Sequence, residues 1–192
     1  MGNPAEDRAK ASQLPEGDVI RILLEQHARI QELFKDVETA TGEHKKHAFD
    51  ELRALLAVHE TAEEMVLRPV SNDTAGDQVT EARNSEEAKA NQVLKKLEEM
   101  DVSSPDFERQ LTDFQKAVLE HAENEESQEF PTVLANIGED KRASMGSRIR
   151  KAEKVAPTHP HPSTAGSTGA QFAVGPFASL IDRTRDAIGS SS

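Results

Sequence analysis

Apolar residues recur at alternating spacings of three and four along four long stretches of the chain, at roughly residues 17–40, 44–68, 76–100 and 105–129. This is the spacing of amphipathic helices that bury one face. Turn and helix-breaking residues separate the stretches, at Thr41-Gly42, from Pro69 to Gly76, and from Asp101 to Pro105. Short connections place neighbouring long helices antiparallel, so the pattern predicts an all-α, up-down-up-down four-helix bundle.

The flanking segments have different compositions. Residues 1–16 are polar, and we expect them to be disordered. A shorter fifth helix is expected at about 139–153, which extends the predicted bundle over residues 17–153. Residues 154–175 are rich in Pro, Gly, Ser and Thr and predict a flexible linker. Residues 176–192 form a short amphipathic segment, which is expected to dock on the bundle or, alternatively, to contact a protein partner.

Composition and charge exclude several classes of function. The 192 residues carry a formal net charge of −12, which argues against binding to nucleic acid or anionic lipid. The chain contains no cysteine, so a metal site must use nitrogen and oxygen ligands rather than thiolates. There is no signal-peptide-like apolar run at the N-terminus and no stretch of membrane-spanning length, so we expect a cytoplasmic protein without membrane contact.

Histidine and glutamate interrupt the apolar stripes at core positions. His27 lies between Leu23 and Ile30 on the first stripe. The second stripe contains His59 and Glu63, and the fourth continues through Val118, His121, Glu125 and Gln128. A carboxylate in a helix-bundle core is costly unless a positive charge neutralises it. Two such carboxylates therefore indicate a buried cation.

The second and fourth helices also repeat one another. HETAEEMVLRP begins at His59 and HAENEESQEFP begins at His121, and both place glutamate at the fourth and fifth following positions and proline at the tenth. Residues four apart lie on the same face of a helix, so each His-x-x-x-Glu offers one nitrogen and one carboxylate to the same point. The duplication makes the motif more specific than either copy alone.

These residues resemble the hemerythrin-like family, also called the HHE cation-binding domain. Its pattern is a single His on the first helix, HxxxE on the second, usually a His on the third, and HxxxE on the fourth. His27 in LLEQHARIQELF and the two HxxxE motifs match it, over about residues 17–150. The C-terminal GPFASLIDRTRDAIG also looks like the ending of actinobacterial members. The resemblance implies two non-heme iron ions, bridged by the two carboxylates and capped by histidines.

The third helix departs from this pattern because it contains no histidine. Ala90, Val93 and Leu94 follow Glu87 at the same spacings at which Ile30, Leu33 and Phe34 follow His27, so Glu87 takes the place of the usual histidine, with Glu86 as the alternative. The expected metal ligands are therefore His27, His59, Glu63, Glu87, His121 and Glu125. Their flanking residues are expected to be solvated or to support the ligands without binding metal, at Glu60, Glu64, Glu123 and Glu126.

Members of the family bind oxygen reversibly, sense oxygen, nitric oxide or iron, or break down peroxide. A third carboxylate favours ferric iron, so we expect redox turnover or sensing, including catalase-like or oxidase activity, rather than oxygen transport. Manganese and zinc suit the same ligands. Two alternatives remain: a metal-stabilised helical interaction module that contacts a partner through its C-terminal segment, and an iron-handling protein without redox turnover.

Overall fold

The computed structural model describes residues 3–75, 77–155 and 177–189, and every regular element within these ranges is helical. The α-helices are α1 (Pro4–Ala11), α2 (Val19–Thr39), α3 (Gly42–Ala62), α4 (Arg68–Ala75), α5 (Asp77–Glu98), α6 (Pro105–Asn124), α7 (Phe130–Asn136), α8 (Glu139–Val155) and α9 (Phe177–Gly189). Two π-helical turns, Glu63–Leu67 and Glu125–Glu129, join α3 to α4 and α6 to α7. The predicted all-α fold is confirmed.

A polar layer divides the core of the bundle into two apolar clusters. One cluster is built around Phe34, Phe49, Leu94 and Phe107, and the other around Leu23, Leu67, Phe130 and Ile149. Helix α2 runs from the second cluster to the first, whereas α3 and α6 run from the first toward the second. Each bundle helix therefore crosses the polar layer near its middle, where the predicted ligands lie.

The N-terminal segment was predicted to be disordered, but its residues 4–11 form α1 and pack against α2. Asn3 caps this helix by accepting a hydrogen bond from the backbone of Ala5, and Pro4 occupies its first turn. Asp7 is buried and accepts a hydrogen bond from Gln31 on α2 at 2.6 Å. The cap and the proline were sequence signals for this helix that the polar composition outweighed in the prediction.

The second bundle helix was predicted to end before Pro69, but it continues through α4 to Ala75. The backbone N–H of Arg68 donates to the carbonyl of Glu63, five residues earlier, and that of Phe130 donates likewise to Glu125. Pro69 follows this wide turn. Because the hydrogen-bonding pattern changes there, the lack of an N–H on Pro69 does not end the helix, which resumes as α4.

The second π turn also changes which residue faces the core at the end of the fourth bundle helix. Gln128 was predicted to point inward but is exposed, and Glu129 is buried in its place. One extra residue in the turn shifts the later side chains around the helix axis. An uninterrupted α-helical period, which the sequence analysis assumed, cannot reproduce this shift.

Helices α8 and α9 cover the bundle from outside. The predicted fifth helix is present as α8, and its Gly146 lies against the backbone of Gly17, where an added Cβ would come within 2.0 Å of the carbonyl oxygen. Helix α9 packs on α3 and α8, buries Ile188, and pairs Arg185 with Glu64 at 2.7 Å. Of the two expectations for this segment, the structure shows docking on the bundle.

Most of the predicted linker, residues 156–175, lies outside the described residues, so its flexibility stays a prediction. Its first two residues belong to α8. Within the described part of the chain, no helix combines the length and apolar character that crossing a membrane requires.

Candidate metal centre

The six predicted ligands meet in the polar layer as two overlapping groups. The first position is formed by His27, His59, Glu63 and Glu125, and the second by Glu63, Glu87, His121 and Glu125. Within each group, one nitrogen or oxygen atom from every residue lies within 4.8 Å of the others. Glu63 and Glu125 are fully buried and belong to both groups. The structure thus brings together all the residues that the sequence nominated.

Each shared carboxylate divides its two oxygens between the two positions. Oε1 of Glu63 lies 3.0 Å from Nε2 of His59, whereas Oε2 lies 3.6 Å from Nε2 of His121. Oε2 of Glu125 lies 3.4 Å from Nε2 of His27, whereas Oε1 lies 3.4 Å from Nε2 of His121. This division of oxygens is the arrangement that a bridging carboxylate needs.

The three histidines are oriented by oxygen atoms on the side away from the centre. The partners of Nδ1 are Glu126 for His27 at 3.0 Å, Gln26 for His59 at 2.9 Å, and Glu86 for His121 at 2.9 Å. An oxygen at Nδ1 holds the proton there and leaves the Nε2 lone pair directed at the centre, as in metal-binding histidines. Lys10 of α1 hydrogen-bonds to Glu126, so α1 also supports the orientation of His27.

Six of the atoms that face the centre are buried and have no hydrogen-bond partner among the described residues. They are Nε2 of His27, Nε2 of His121, and both carboxylate oxygens of Glu63 and Glu125. Burying such atoms without partners costs free energy that folding must recover elsewhere. A pair of cations between these atoms would satisfy them, so the donor set fits the metal ions that the family resemblance implies.

The charges of the polar layer also favour the binding of cations. Burial lowers the pKa of His27, but its contacts with Glu125 and Glu126 outweigh burial and raise that pKa to about 9. Burial likewise opposes protonation of His121, whose pKa is nonetheless raised by Glu125 and Glu63. Burial, with the nearby charge of Glu63, raises the pKa of Glu87 to about 7. The cluster therefore attracts protons, which metal ions would displace.

The alternatives on the third bundle helix occupy different places. Glu87 lies in the second position, with Oε1 3.9 Å from Nε2 of His121. Glu86 lies outside it, where one oxygen accepts from Nδ1 of His121 and the other from Arg83 at 2.9 Å. Glu87 thus faces the centre, and Glu86 orients a neighbouring histidine.

The flanking glutamates divide as expected between solvent and support. Glu64 and Glu123 are exposed, and Glu126 holds His27. Glu60 lines a small cavity beside the centre, and burial raises the pKa of its carboxyl group to about 8. None of the four belongs to the two ligand groups found among the described residues.

Sequence reasoning missed a buried ion pair beside the second position. The guanidinium of Arg68 donates from Nη1 to both oxygens of Glu129, at 2.7 and 3.0 Å, and from Nη2 to Glu87. Arg68 is 7% exposed and Glu129 is fully buried. Arg68 follows Glu63 by five residues, which would place it on another face of an α-helix. The π turn returns it to the face of Glu63.

A cavity of about 30 Å³ adjoins both positions. Its polar wall includes His27, His59 and His121, and its apolar wall includes Ile30, Leu56, Val118 and Leu119. One water molecule needs roughly 10–15 Å³, so the cavity has room for about two atoms of the size of a water oxygen.

The sequence-family model of the hemerythrin HHE cation binding domain matches residues 18–133, more than half of the chain. This protein belongs to the hemerythrin HHE family. The matched range contains all six residues of the two positions. The cation-binding character of the family therefore agrees with the buried nitrogen and oxygen donors of this hemerythrin-like chain.

Two individual proteins are similar in sequence to this chain. An uncharacterized hemerythrin-like protein of Schizosaccharomyces pombe is 26% identical over 154 residues, covering 79% of this chain and 73% of that protein. A Nostoc protein named DNA nickase is 23% identical over 137 residues, covering 71% of this chain but 38% of that protein.

The fold of the HHE domain is also found in a solved structure. The crystal structure of a hemerythrin HHE cation binding domain-containing protein from Mycobacterium kansasii aligns with a TM-score of 0.66 and 20% identity. The alignment covers 91% of this chain and 99% of that one. The two proteins therefore share a fold over nearly their whole lengths.

Proposed function

We propose that this hemerythrin-like protein holds two non-heme iron ions and reacts with, or senses, oxygen, peroxide or nitric oxide. The observation that carries the proposal is the convergence of unpartnered donor atoms on two positions that share Glu63 and Glu125. His27 and His59 would complete the first position, and His121 and Glu87 the second.

The donor chemistry supports iron with turnover or sensing rather than reversible oxygen carriage. Imidazole nitrogen and carboxylate oxygen suit iron, and also manganese or zinc. When bound, iron supplies one-electron redox chemistry that no side chain of this protein can provide. The third carboxylate, from Glu87, adds a hard anionic donor that stabilises the ferric state. The residues themselves hold the ions, orient the imidazoles and exclude water.

The small cavity supports a ligand of diatomic or peroxide size. Ile30, Leu56 and Val118 give it an apolar lining next to the histidines, so a small neutral molecule gains by leaving water. The alternative function as an interaction module has weaker support, because the buried residues of α9, Thr184 and Ile188, are used against the protein's own bundle.

Metal analysis combined with peroxide consumption tests the proposal. Protein purified without added metal is expected to carry close to two iron ions per chain, to absorb in the near ultraviolet after exposure to air, and to consume peroxide or change its spectrum with nitric oxide. Glu125→Ala is expected to lose the metal and these responses. Glu123→Ala, an exposed residue on the same helix, should keep them.

Two outcomes would contradict the proposal. Iron content that is equal in wild type and Glu125→Ala would show that the bound ion is not held at this centre. A stable oxygen complex that forms and dissociates without oxidation would contradict the preference for turnover or sensing over transport.

A further inference from the structure

A guanidinium lies beside one of the two positions. Nη2 of Arg68 is 3.5 Å from Oε1 of Glu125 and 3.7 Å from Oε2 of Glu63, and it contacts Oε1 of Glu87. These three oxygens are the ones that face His121 in the second position. The other oxygens of Glu63 and Glu125, which belong to the first position, have their closest contacts with Nε2 of His59 and His27.

The duplicated motif makes this difference between the positions easy to locate. Arg68 is the ninth residue after His59, and Phe130 is the ninth residue after His121. Phe130 stacks on His27 with ring centroids 5.6 Å apart. The equivalent residues thus present an aromatic ring to the first position and a fixed positive charge to the second.

A guanidinium and a metal ion compete for the same carboxylate oxygens. Both are attracted to the lone pairs of Glu63, Glu87 and Glu125, and they repel each other strongly at separations of a few ångströms in a poorly hydrated interior. Arg68 also has a partner on its other side, because Nη1 is held by both oxygens of buried Glu129. Glu129 can therefore keep its hydrogen bonds to the guanidinium when Nη2 loses its contacts.

We propose that Arg68 is a built-in cation that competes with the second metal ion, so that the two positions fill in order. This inference rests on the proposed function as a two-metal protein. The first position, where the nearest oxygens of Glu63 and Glu125 face His59 and His27 rather than Arg68, binds its ion first. The second binds only at higher metal concentration, as Arg68 withdraws toward Glu129. A form with one bound ion then persists over a range of metal concentration.

Titration of the whole protein with Co²⁺ under anaerobic conditions, followed by calorimetry and visible absorption, tests the order of filling. Wild type is expected to bind two ions with affinities that differ by roughly tenfold or more. Arg68→Met should tighten the second binding event roughly tenfold or more and leave the first nearly unchanged. Glu129→Gln removes the alternative partner of Arg68 and should weaken the second event. The two variants therefore move the second event in opposite directions.

Arg53→Met is the matched control. Arg53 is a similarly buried arginine on α3 that pairs with Asp50 and Glu98 away from the centre, so its loss should leave both binding events unchanged. Thermal unfolding of every variant shows whether it is folded. Should Arg68→Met not fold, the weaker second event of Glu129→Gln still tests the inference.

Results that overturn this inference differ from those that overturn the proposed function. Two equal affinities in wild type, an unchanged or weaker second event in Arg68→Met, or a tighter one in Glu129→Gln would reject the competition by Arg68 while leaving a two-metal centre. Absence of any Co²⁺ binding that depends on His59 and Glu125 would reject the centre itself.

Discussion

The two segments that begin at His59 and His121 have the same backbone but different surroundings. Each places an imidazole and a buried carboxylate at the centre, enters a π turn at that carboxylate, and resumes as an α-helix at the residue before a proline. They differ from the last residue of the turn onward. The first segment continues with Leu67 and Arg68, and the second with Glu129 and Phe130.

The difference between Phe130 and Arg68 corresponds to the residue that the neighbouring helix, α2 or α5, contributes to each position. His27 on α2 faces the ring of Phe130, whereas Glu87 on α5 faces the guanidinium of Arg68. An imidazole is thus paired with an aromatic ring and a carboxylate with a counter-charge. Under the proposed function, the shared part of the two segments would bridge the two positions, and the unshared part would make them unequal.

The largest effect is expected from removing a residue that both positions share. Glu125→Ala should abolish binding of both metal ions, because each position loses an oxygen of the bridge. His121→Ala should lose the second ion and keep the first, since its nitrogen serves one position only. Bound metal per chain after gel filtration measures the difference. Equal loss in both variants would show that the two positions do not exist as separate sites.

A smaller effect is expected from making the second position resemble the first. Glu87→His removes one carboxylate partner of Arg68, which keeps Glu129, and places an imidazole beside the freed Nη2, which should cost about 1–3 kcal/mol of unfolding free energy. Adding Arg68→Phe together with Glu129→Leu should recover most of that loss, because Glu129 is buried and would otherwise lose its partner. Denaturant unfolding of Glu87→His, of the Arg68→Phe/Glu129→Leu variant and of the triple variant measures the interaction. Additive changes in unfolding free energy would contradict the pairing of Glu87 with Arg68.

The smallest effect concerns the aromatic wall. Phe130→Leu should cost about 1–2 kcal/mol in stability and weaken the first binding event severalfold, because His27 loses its stacking partner. Phe114→Leu is the control, since Phe114 is equally buried but pairs with Phe34 in the other apolar cluster. The control should lose similar stability and keep its metal affinity. Equal metal affinity in both variants would remove the role assigned to Phe130.

Sequence reasoning located the bundle and the residues that meet in its polar layer because both depend on local periodicity. The spacing of His59 to Glu63 and of His121 to Glu125 is read before the π turns begin, so an α-helical period describes it correctly. The choice of Glu87 over Glu86 followed from the apolar positions after it, and the structure places Glu87 at the centre.

Within and after the π turns, the α-helical period no longer predicts which side chains face the core. Arg68 and Glu129 reach the centre through backbone geometry that the sequence does not state, and Gln128 was therefore placed inward in error. The supporting oxygen of Gln26 also escaped assignment, because contacts between helices depend on their rotation and not on spacing within one helix. Helix α1 was missed because polar composition was given more weight than its N-cap.

Anomalous diffraction at the iron edge from crystals of iron-loaded protein tests the central claim most directly. Two peaks are expected in the polar layer between the apolar clusters, one between His27 and His59 and the other between His121 and Glu87, with Glu63 and Glu125 contacting both. A single peak outside this layer, or none near Glu63 and Glu125, would contradict a two-metal centre in this protein.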